Sequence, residues 1–376
     1  MYQALYRKYR PQTFSDVVGQ KSVTDTLRAQ LETGRLSHAY LFTGTRGTGK
    51  TSCAKILAKA VNCEHPVNGN PCNQCAACRG IDDGSILDVV EIDAASNNRV
   101  EDVRALRDEA VFSPANVNKR VYIIDEVHML SNSAFNALLK ILEEPPAHLM
   151  FILATTELHK VPATILSRCQ RHSFKRIPVD TIAARLNYVA QQERLDLQPD
   201  AAALLARMAD GGMRDALSIL DQCIGRSDGH VTYGLVAETA GLAGRGHLIE
   251  LAECIRTGDR TAALEKIDAL YKSSKDMGRL CEELAGFFRN LMLIKTMKDA
   301  SGLVNAVGEE LEAMTKTALS MELSTILHAL DAFQSAQSRM KTMNKRTEME
   351  ITFIRLCTPE MDTSPAALLR RIEALE

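Results

Sequence analysis

The residues with the clearest chemistry form a glycine-rich segment that ends in a lysine and a threonine. It reads Gly44-Thr45-Arg46-Gly47-Thr48-Gly49-Lys50-Thr51 and is followed by Ser52. This is the phosphate-loop pattern G-x-x-x-x-G-K-[ST], whose backbone N–H groups wrap a polyphosphate while the next helix points its positive end at it. Lys50 would neutralise β- and γ-phosphate charge and Thr51 would bind Mg²⁺. A Gly-rich turn that matches by chance is the alternative.

An acidic pair follows an apolar run further along the chain. Asp125 and Glu126 come directly after the run at 121–124, and ligands of α/β sheets bind outside such strand ends. We expect Asp125 to hold magnesium and Glu126 to orient or deprotonate the attacking water. The alternative, two acids that only cap the next helix, is weak beside a phosphate loop. The two motifs together predict nucleotide hydrolysis.

Four cysteines lie within 16 residues of one another: Cys63, Cys72, Cys75 and Cys78. The Cys-x₂-Cys steps let two sulfurs reach one tetrahedral ion, and zinc accepts four thiolates without redox chemistry. An iron–sulfur cluster also takes four cysteines, and disulfides are a further alternative. Because the other six of the 10 cysteines are scattered singly, we expect reduced thiols and a structural zinc site.

The elements that must position these residues alternate up to about residue 180. Apolar, β-branched runs at 39–43, 87–92, 120–124 and 150–154 are separated by helical stretches, which predicts a parallel sheet covered on both faces. Beyond 180 the periodicity is helical, as at Leu323, Ile326, Leu330 and Phe333. The glycines at 211–212 and 241–246 are candidate boundaries, and a capped short helix is expected after Ser364.

Composition narrows the class of protein. The chain has 376 residues, 45% hydrophobic and 24% charged, with a formal charge of −2, which indicates a globular protein of two or three domains. No apolar run approaches the ~18 residues of a membrane span, and the first residues lack a signal peptide's apolar core. We therefore expect a cytoplasmic protein without membrane contact. Trp is absent and aromatic residues are 5%, which disfavours a base-stacking platform.

Several further segments carry a family resemblance. They are the N-terminal Ala4-Leu5-Tyr6-Arg7-Lys8-Tyr9-Arg10-Pro11-Gln12-Thr13-Phe14 with Val17-Val18-Gly19-Gln20, then His38-Ala39-Tyr40-Leu41-Phe42, Asp125-Glu126-Val127-His128, Glu143-Glu144-Pro145-Pro146 and Ser167-Arg168-Cys169. The chain resembles AAA+ clamp-loader ATPases. The cysteine insertion after the phosphate-loop helix narrows this to the gamma/tau family of bacterial DNA polymerase III. The intact phosphate loop argues against the non-hydrolysing sister subunits.

The resemblance implies an architecture. Residues 1–179 would form an α/β AAA+ P-loop ATPase module with a parallel sheet and a zinc-binding insertion at about 62–79. Residues 180–241 would form a small helical lid domain, and residues 242–376 an all-α collar for oligomerisation. The tau-type extensions that contact helicase and polymerase are not expected within these residues.

The resemblance also implies a function with ATP, Mg²⁺ and Zn²⁺ as cofactors. The chain would use ATP to open the sliding clamp and load it onto primed double-stranded DNA. Its partners would be delta, delta-prime and further gamma/tau copies in a pentamer. It would belong to a DNA-directed DNA polymerase, a nucleotidyltransferase, without being the polymerising subunit. The alternatives are another AAA+ remodeller, of Holliday-junction or recombination-factor type, and an ATP-binding scaffold without turnover.

Individual residues receive roles from the same resemblance. Thr156 falls on the residue that senses the γ-phosphate, and Arg214 on the lid arginine that contacts the phosphates of its own chain's nucleotide. Arg168 falls on the arginine finger that reaches the ATP of the neighbouring subunit. Adenine contacts would come from Tyr6, Arg10, Pro11 and Val18.

DNA contacts are expected from the helix start at 95–104. Family members track duplex phosphates with helix N-termini, and Asn98, Arg99 and Arg104 suit such contacts. An equally weighted alternative is a solvated helix start with a capping asparagine.

Overall fold

The computed structural model describes residues 2–239, 246–298, 300, 303–304 and 309–358. By their internal packing the residues form two compact units, 1–240 and 241–376. The expected lid–collar boundary at 241 and the helix expected after Ser364 lie outside the described residues.

A parallel five-stranded sheet forms the centre of the first unit. Its strands are β1 (Ala39–Thr43), β2 (Val89–Asp93), β3 (Arg120–Asp125), β4 (Leu149–Thr155) and β5 (Gln170–Ser173). They are ordered β2-β3-β4-β1-β5. The four predicted strands are present, although the one expected from residue 87 begins at Val89, and Leu87 is 82% exposed. The edge strand β5 was not predicted, because its sequence has no apolar run.

Helices cover both faces of this sheet. The helices of this part are α1 (Leu5–Lys8), α2 (Lys21–Thr33), α3 (Lys50–Asn62), α4 (Ala76–Asp83), α5 (Val100–Ala110), α6 (Asn132–Glu143) and α7 (Ala163–Leu166). Of these, α2 and α3 pack on one face of the sheet and α5, α6 and α7 on the other. Alternate residues of β1 enter opposite cores: Tyr40 packs with residues of α2 and α3, and Leu41 with residues of α5 and α6. The sheet is therefore buried on both sides, as its apolar strands predict.

A small helical part completes the first unit. It contains α8 (Val179–Gln192), α9 (Pro199–Met208), α10 (Met213–Ile224) and α11 (Tyr233–Thr239). Two short strands, β6 (Asp196–Leu197) and β7 (His230–Val231), pair in parallel beside these helices. The sequence indicates almost only helices here, so this two-stranded pairing is an addition.

The described part of the second unit is helical. It contains α12 (Gly246–Thr257), α13 (Arg260–Lys272), α14 (Met277–Thr296), α15 (Glu309–Ser320), α16 (Leu323–Arg339) and α17 (Lys345–Cys357). The predicted face of α16 enters the core through Ile326 and Phe333. The Phe333 ring lies 5.7 Å from that of Phe288 on α14. Among the described residues, no helix has the length and apolarity to cross a membrane.

Candidate nucleotide site and cysteine cluster

The glycine-rich segment joins β1 to α3 and needs its glycines. Gly44 has φ +143°, and a Cβ there would lie 2.3 Å from the Phe174 carbonyl oxygen. Gly47 has φ +76°, and a Cβ would lie 3.0 Å from the Cα of Gly212, next to the start of α10. The Met213 N–H donates to the Gly47 oxygen at 3.0 Å. Any side chain at these two positions would separate the loop from its neighbours.

Lys50 lies within the curve of this loop. Its Nζ donates to the carbonyl oxygens of Gly44 and Thr45, each at 2.9 Å. Burial lowers the pKa of Lys50, and the charges of Glu126 and Asp125 oppose that shift. The Lys50 ammonium thus donates to two uncharged carbonyl oxygens. In a nucleotide complex, negatively charged phosphate oxygens would accept these hydrogen bonds instead.

Thr51 and Asp125 meet across the site. The Thr51 hydroxyl donates to Asp125 Oδ2 at 2.7 Å. They meet because α3 starts from the end of β1 and Asp125 ends β3, and both strands are parallel. Hydroxyl and carboxylate oxygens are ligands that Mg²⁺ accepts in phosphate sites. These two residues could therefore hold that ion.

Glu126 is held by the end of the neighbouring strand. Its Oε2 accepts hydrogen bonds from the Thr156 hydroxyl at 2.9 Å and from the Thr156 N–H at 3.2 Å. His128 Nδ1 lies 3.4 Å from the same oxygen and 3.0 Å from Thr155 Oγ1. Because β4 lies between β3 and β1, Thr156 stands beside the acidic pair.

Lys50, Thr51, Asp125 and Glu126 open onto a cavity of about 1010 Å³, whereas the expected site residues Gly44, Thr45 and Thr156 do not line it. The expected site residues that line it are Tyr6, Arg10, Pro11, Val18, Arg46, Gly47, Thr48, Gly49, Lys50, Thr51, Ser52, Asp125, Glu126 and Arg214. Five charged residues on its wall were not expected from the sequence: Arg7, Asp16, Glu91, Asp93 and Arg185. Asp93 could have been found, since it pairs in register with Asp125 and so ends at the same sheet edge. Nothing in the sequence singles out Arg185.

The N-terminal segment closes one side of the cavity. The Arg214 guanidinium lies over the Tyr6 ring, 5.0 Å from its centre, and Arg10 Nε donates to Ser52 Oγ at 3.2 Å. Lys8 Nζ lies 2.6 Å from a Glu193 carboxylate oxygen. The segment therefore contacts both the phosphate-loop helix and the helical part around α8 and α10.

Arg168 does not line this cavity. Its Nη2 lies 2.7 Å from Glu143 Oε1, and its Nη1 donates to the Thr164 carbonyl oxygen at 2.9 Å. The side chain is 34% exposed. Within a single chain, Arg168 is thus a surface arginine paired with an acid.

The four clustered cysteines converge on one point. Their Sγ atoms all lie within 4.8 Å of one another, and those of Cys72 and Cys78 are 3.9 Å apart. A tetrahedral zinc with bonds of about 2.3 Å separates its sulfurs by about 3.8 Å. The cysteines therefore fit a Cys₄ metal site.

Backbone amides and burial tune these thiols in opposite directions. N–H groups of Gln74 and Cys75 point at the Cys72 sulfur and lower the pKa of Cys72 to about 6. Burial raises the pKa of Cys63 and of Cys78, so their thiolates need a nearby cation. All ten cysteines are described, and none forms a disulfide.

The helix start at 95–104 differs from the expected one. α5 begins at Val100, and its N-cap is Arg99, whose N–H donates to Asp102 Oδ2 at 3.1 Å. The alternative of a capping asparagine is wrong in its cap, because Asn98 precedes the N-cap and its carbonyl accepts from the Ser131 N–H at 3.3 Å. Asn98, Arg99 and Arg104 are all exposed.

Family models cover most of the chain. The model described as "DNA polymerase III, delta subunit" matches residues 19–178. "DNA polymerase III clamp loader subunit, ATPase lid domain" matches 181–229, and "DNA polymerase III subunits gamma and tau domain III" matches 231–372. Among solved structures, the RuvB Holliday junction branch migration motor of Thermotoga maritima aligns with a TM-score of 0.47 at 17% identity. That alignment covers 66% of this chain and 79% of the motor.

Curated relatives extend the match to nearly every residue. DNA polymerase III subunit tau of Bacillus subtilis is 45% identical over all of this chain and 68% of its own length. DNA polymerase III subunit gamma/tau of Mycobacterium tuberculosis is 39% identical over 99% of this chain and 66% of its own length. The tau subunit of Escherichia coli is 45% identical over 80% of this chain and 47% of its own length. This chain thus spans between about half and two thirds of these relatives. It belongs to the gamma/tau family of DNA polymerase III clamp-loader ATPase subunits.

Proposed function

We propose that this chain uses ATP binding and hydrolysis to open a ring-shaped sliding clamp and load it onto primed double-stranded DNA. The observation that carries the ATP-driven step is the meeting of Lys50, Thr51, Asp125 and Glu126 at one cavity. A scaffold with a decayed ATPase site would have no reason to keep all four.

The expected site residues at the cavity have distinct roles. Lys50 and Arg214 bind the phosphates, as the Gly44–Ser52 loop wraps them. Thr51 and Asp125 hold Mg²⁺, which neutralises charge developing on the phosphates. Glu126 takes the proton of the attacking water. Tyr6, Arg10, Pro11 and Val18 contact the adenine.

Thr156 couples nucleotide to the general base. Its hydroxyl has one proton, and that proton is now donated to Glu126. A γ-phosphate that accepts a hydrogen bond from this hydroxyl would take one of the two Thr156 hydrogen bonds away from Glu126 Oε2, leaving the N–H bond, and so free that oxygen toward the water. We infer that Thr156 holds the base back until ATP is in place.

The remaining assignments concern the larger assembly. Residues 1–179 act as the ATPase module, 180–241 as the lid and 242–376 as a collar that joins delta, delta-prime and further gamma/tau copies in a pentamer. Asn98, Arg99 and Arg104 contact DNA phosphates, and Arg168 serves a neighbouring subunit's nucleotide. Cys63, Cys72, Cys75 and Cys78 bind zinc. Because the DNA that it acts on lies in the cytoplasm of a bacterium, the protein works in that compartment.

The test is ATP turnover by the chain assembled with its sister subunits. We expect clamp and primed DNA together to raise turnover well above either alone. A junction motor would instead respond to branched DNA without clamp and assemble as a hexamer, whereas a scaffold would not turn over ATP. Indifference of turnover to clamp and primed DNA would contradict the proposal.

A further inference from the structure

A buried lysine lies between the cysteine cluster and the nucleotide cavity. Lys59 is in the last turn of α3, and its side chain is 2% exposed. Its Nζ donates to Gln12 Oε1 at 2.7 Å, to Asn73 Oδ1 at 2.8 Å and to Asp82 Oδ2 at 2.9 Å. An ammonium has three protons, so all of them are used. A charge this deeply buried persists only when it is paired and hydrogen-bonded.

The three acceptors belong to separate parts of the chain. Gln12 lies in the N-terminal segment, directly after Arg10 and Pro11, which line the cavity. Asn73 follows Cys72 inside the cysteine loop, where it has a φ of +58°. Asp82 is on α4, whose N-cap is Cys75. A single nitrogen atom therefore joins the phosphate-loop helix, the cysteine cluster and the wall of the nucleotide cavity.

Two further hydrogen bonds link the N-terminal segment to the cysteine loop. The Phe14 N–H donates to Asn70 Oδ1 at 2.9 Å, and Asn73 Nδ2 donates to the Gln12 carbonyl oxygen at 3.4 Å. Between residues 10 and 18 the chain has no regular element except a short 3₁₀ turn at Phe14–Asp16. The position of this stretch therefore depends on its side contacts, and the cysteine loop supplies several of them.

We propose that Lys59 is a positioning residue through which the metal-bound cysteine cluster fixes residues 10–18 against a bound nucleotide. Removing the metal would let the cysteine loop and α4 move. Two of the three acceptors of Lys59, Asn73 and Asp82, would then no longer be held in place. The wall formed by Arg10, Pro11 and Val18 then loosens, while the phosphate loop itself keeps its glycine contacts. The inference rests on the proposed adenine-nucleotide site and assigns the metal loop a part in nucleotide affinity.

The test compares two ligands of the intact chain that differ in what they touch. Mg-ATP meets both the phosphate loop and the N-terminal wall, whereas Mg-tripolyphosphate meets the phosphate loop alone. We expect Lys59→Met to raise the ATP dissociation constant about tenfold, in keeping with the loss of a charged hydrogen bond. The dissociation constant of tripolyphosphate should stay within about twofold of the wild-type value. A tenfold change corresponds to about 1.4 kcal/mol, so a twofold change is a much smaller loss of binding free energy. Stripping the metal with a chelator should reproduce the selective loss, and should add nothing further in Lys59→Met.

Two more variants keep the outcome decisive. Lys140→Met removes an exposed lysine of α6 and should change neither constant. Gln12→Ala takes away one acceptor and leaves Lys59 paired with Asp82, so it tests the link even if Lys59→Met folds poorly. An equal weakening of both ligands in Gln12→Ala, or no weakening in either variant, overturns the inference. A wild-type chain that binds no ATP would instead overturn the proposed function.

Discussion

At the scale of single residues, substitutions of Lys50 and Glu126 should affect different steps, nucleotide binding and hydrolysis. Lys50→Ala removes the cation that we propose to face the β- and γ-phosphates, so we expect ATP binding to fall below detection. Glu126→Gln keeps the shape of the site but cannot accept a proton, so ATP should still bind while turnover falls by about 10²–10⁴-fold. Binding titrations and steady-state hydrolysis measure the two effects. Near-normal turnover in both variants would contradict the assignment of this site.

Thr156 allows a finer test at the same scale. Thr156→Val preserves the β-branched shape and removes the hydroxyl that now donates to Glu126. If this hydroxyl, once ATP is bound, also donates to the γ-phosphate under attack, its loss should lower turnover at least tenfold even though Glu126 is freed. The ATP dissociation constant should change by less than about threefold, because phosphate binding would rest mainly on the loop and Lys50. Thr156→Ser restores the hydroxyl and should restore turnover. Failure of the serine to do better than the valine would reject the sensing role.

At the scale of elements, the cysteine loop leads to a prediction of the metal content of the chain. We expect about one zinc per chain, because four sulfurs converge and leave no open position for a substrate. Cys75→Ser should lose the metal, whereas Cys53→Ser, a buried cysteine outside the cluster, should keep it. Elemental analysis decides between metals, and iron in place of zinc would favour the iron–sulfur alternative.

Helix α5 carries the prediction for DNA. Arg99→Ala and Arg104→Ala should each weaken binding to primed duplex uniformly across base sequences and reduce the salt dependence of the affinity by about one phosphate contact. Arg107→Ala is the matched control, since Arg107 is on the same helix and pairs with the neighbouring Asp108. Binding measured over a range of salt concentrations gives the slope. An unchanged slope in both test variants, with a change in the control, would move the interface elsewhere.

The sequence predicted those elements whose local pattern matches their burial. Strands β1, β3 and β4 are apolar because both faces are covered, and each was expected at nearly its observed bounds. Strand β5 escaped because an edge strand can be polar, and its pairing with β1 is non-local. The start of α5 differs from the capping-asparagine alternative because Arg99 is the N-cap, and its backbone N–H donates to Asp102 Oδ2.

Contacts between segments that are distant along the chain could not be predicted from the sequence pattern. The motifs identified Lys50, Thr51, Asp125 and Glu126 because each occurs next to a strand end or a glycine turn. Lys59 carries no such signal, since its three acceptors lie 47, 14 and 23 residues away along the chain. Only the folded structure brings them to one nitrogen.

At the scale of the whole molecule, the position of Arg168 bears on assembly. In one chain it pairs with Glu143 at the surface, away from the cavity that Lys50 and Arg214 already supply with positive charge. An exposed ion pair of this kind contributes little to stability, so a competing phosphate could take the arginine at small cost. A neighbour's arginine would let hydrolysis proceed only in a correctly built assembly.

Mixing two inactive chains tests this trans arrangement. Lys50→Ala chains have no working pocket but keep Arg168, and Arg168→Ala chains have a pocket but no finger. In mixed assemblies some interfaces join an intact pocket to an intact Arg168, so turnover should partly return, because such fingers contribute about 10³–10⁵ in rate. The control replaces the first partner with the Lys50→Ala, Arg168→Ala double variant, which offers neither group and should rescue nothing. If no mixing ratio restores turnover although assembly and ATP binding are normal, Arg168 does not act across the interface, and its role is limited to the ion pair with Glu143.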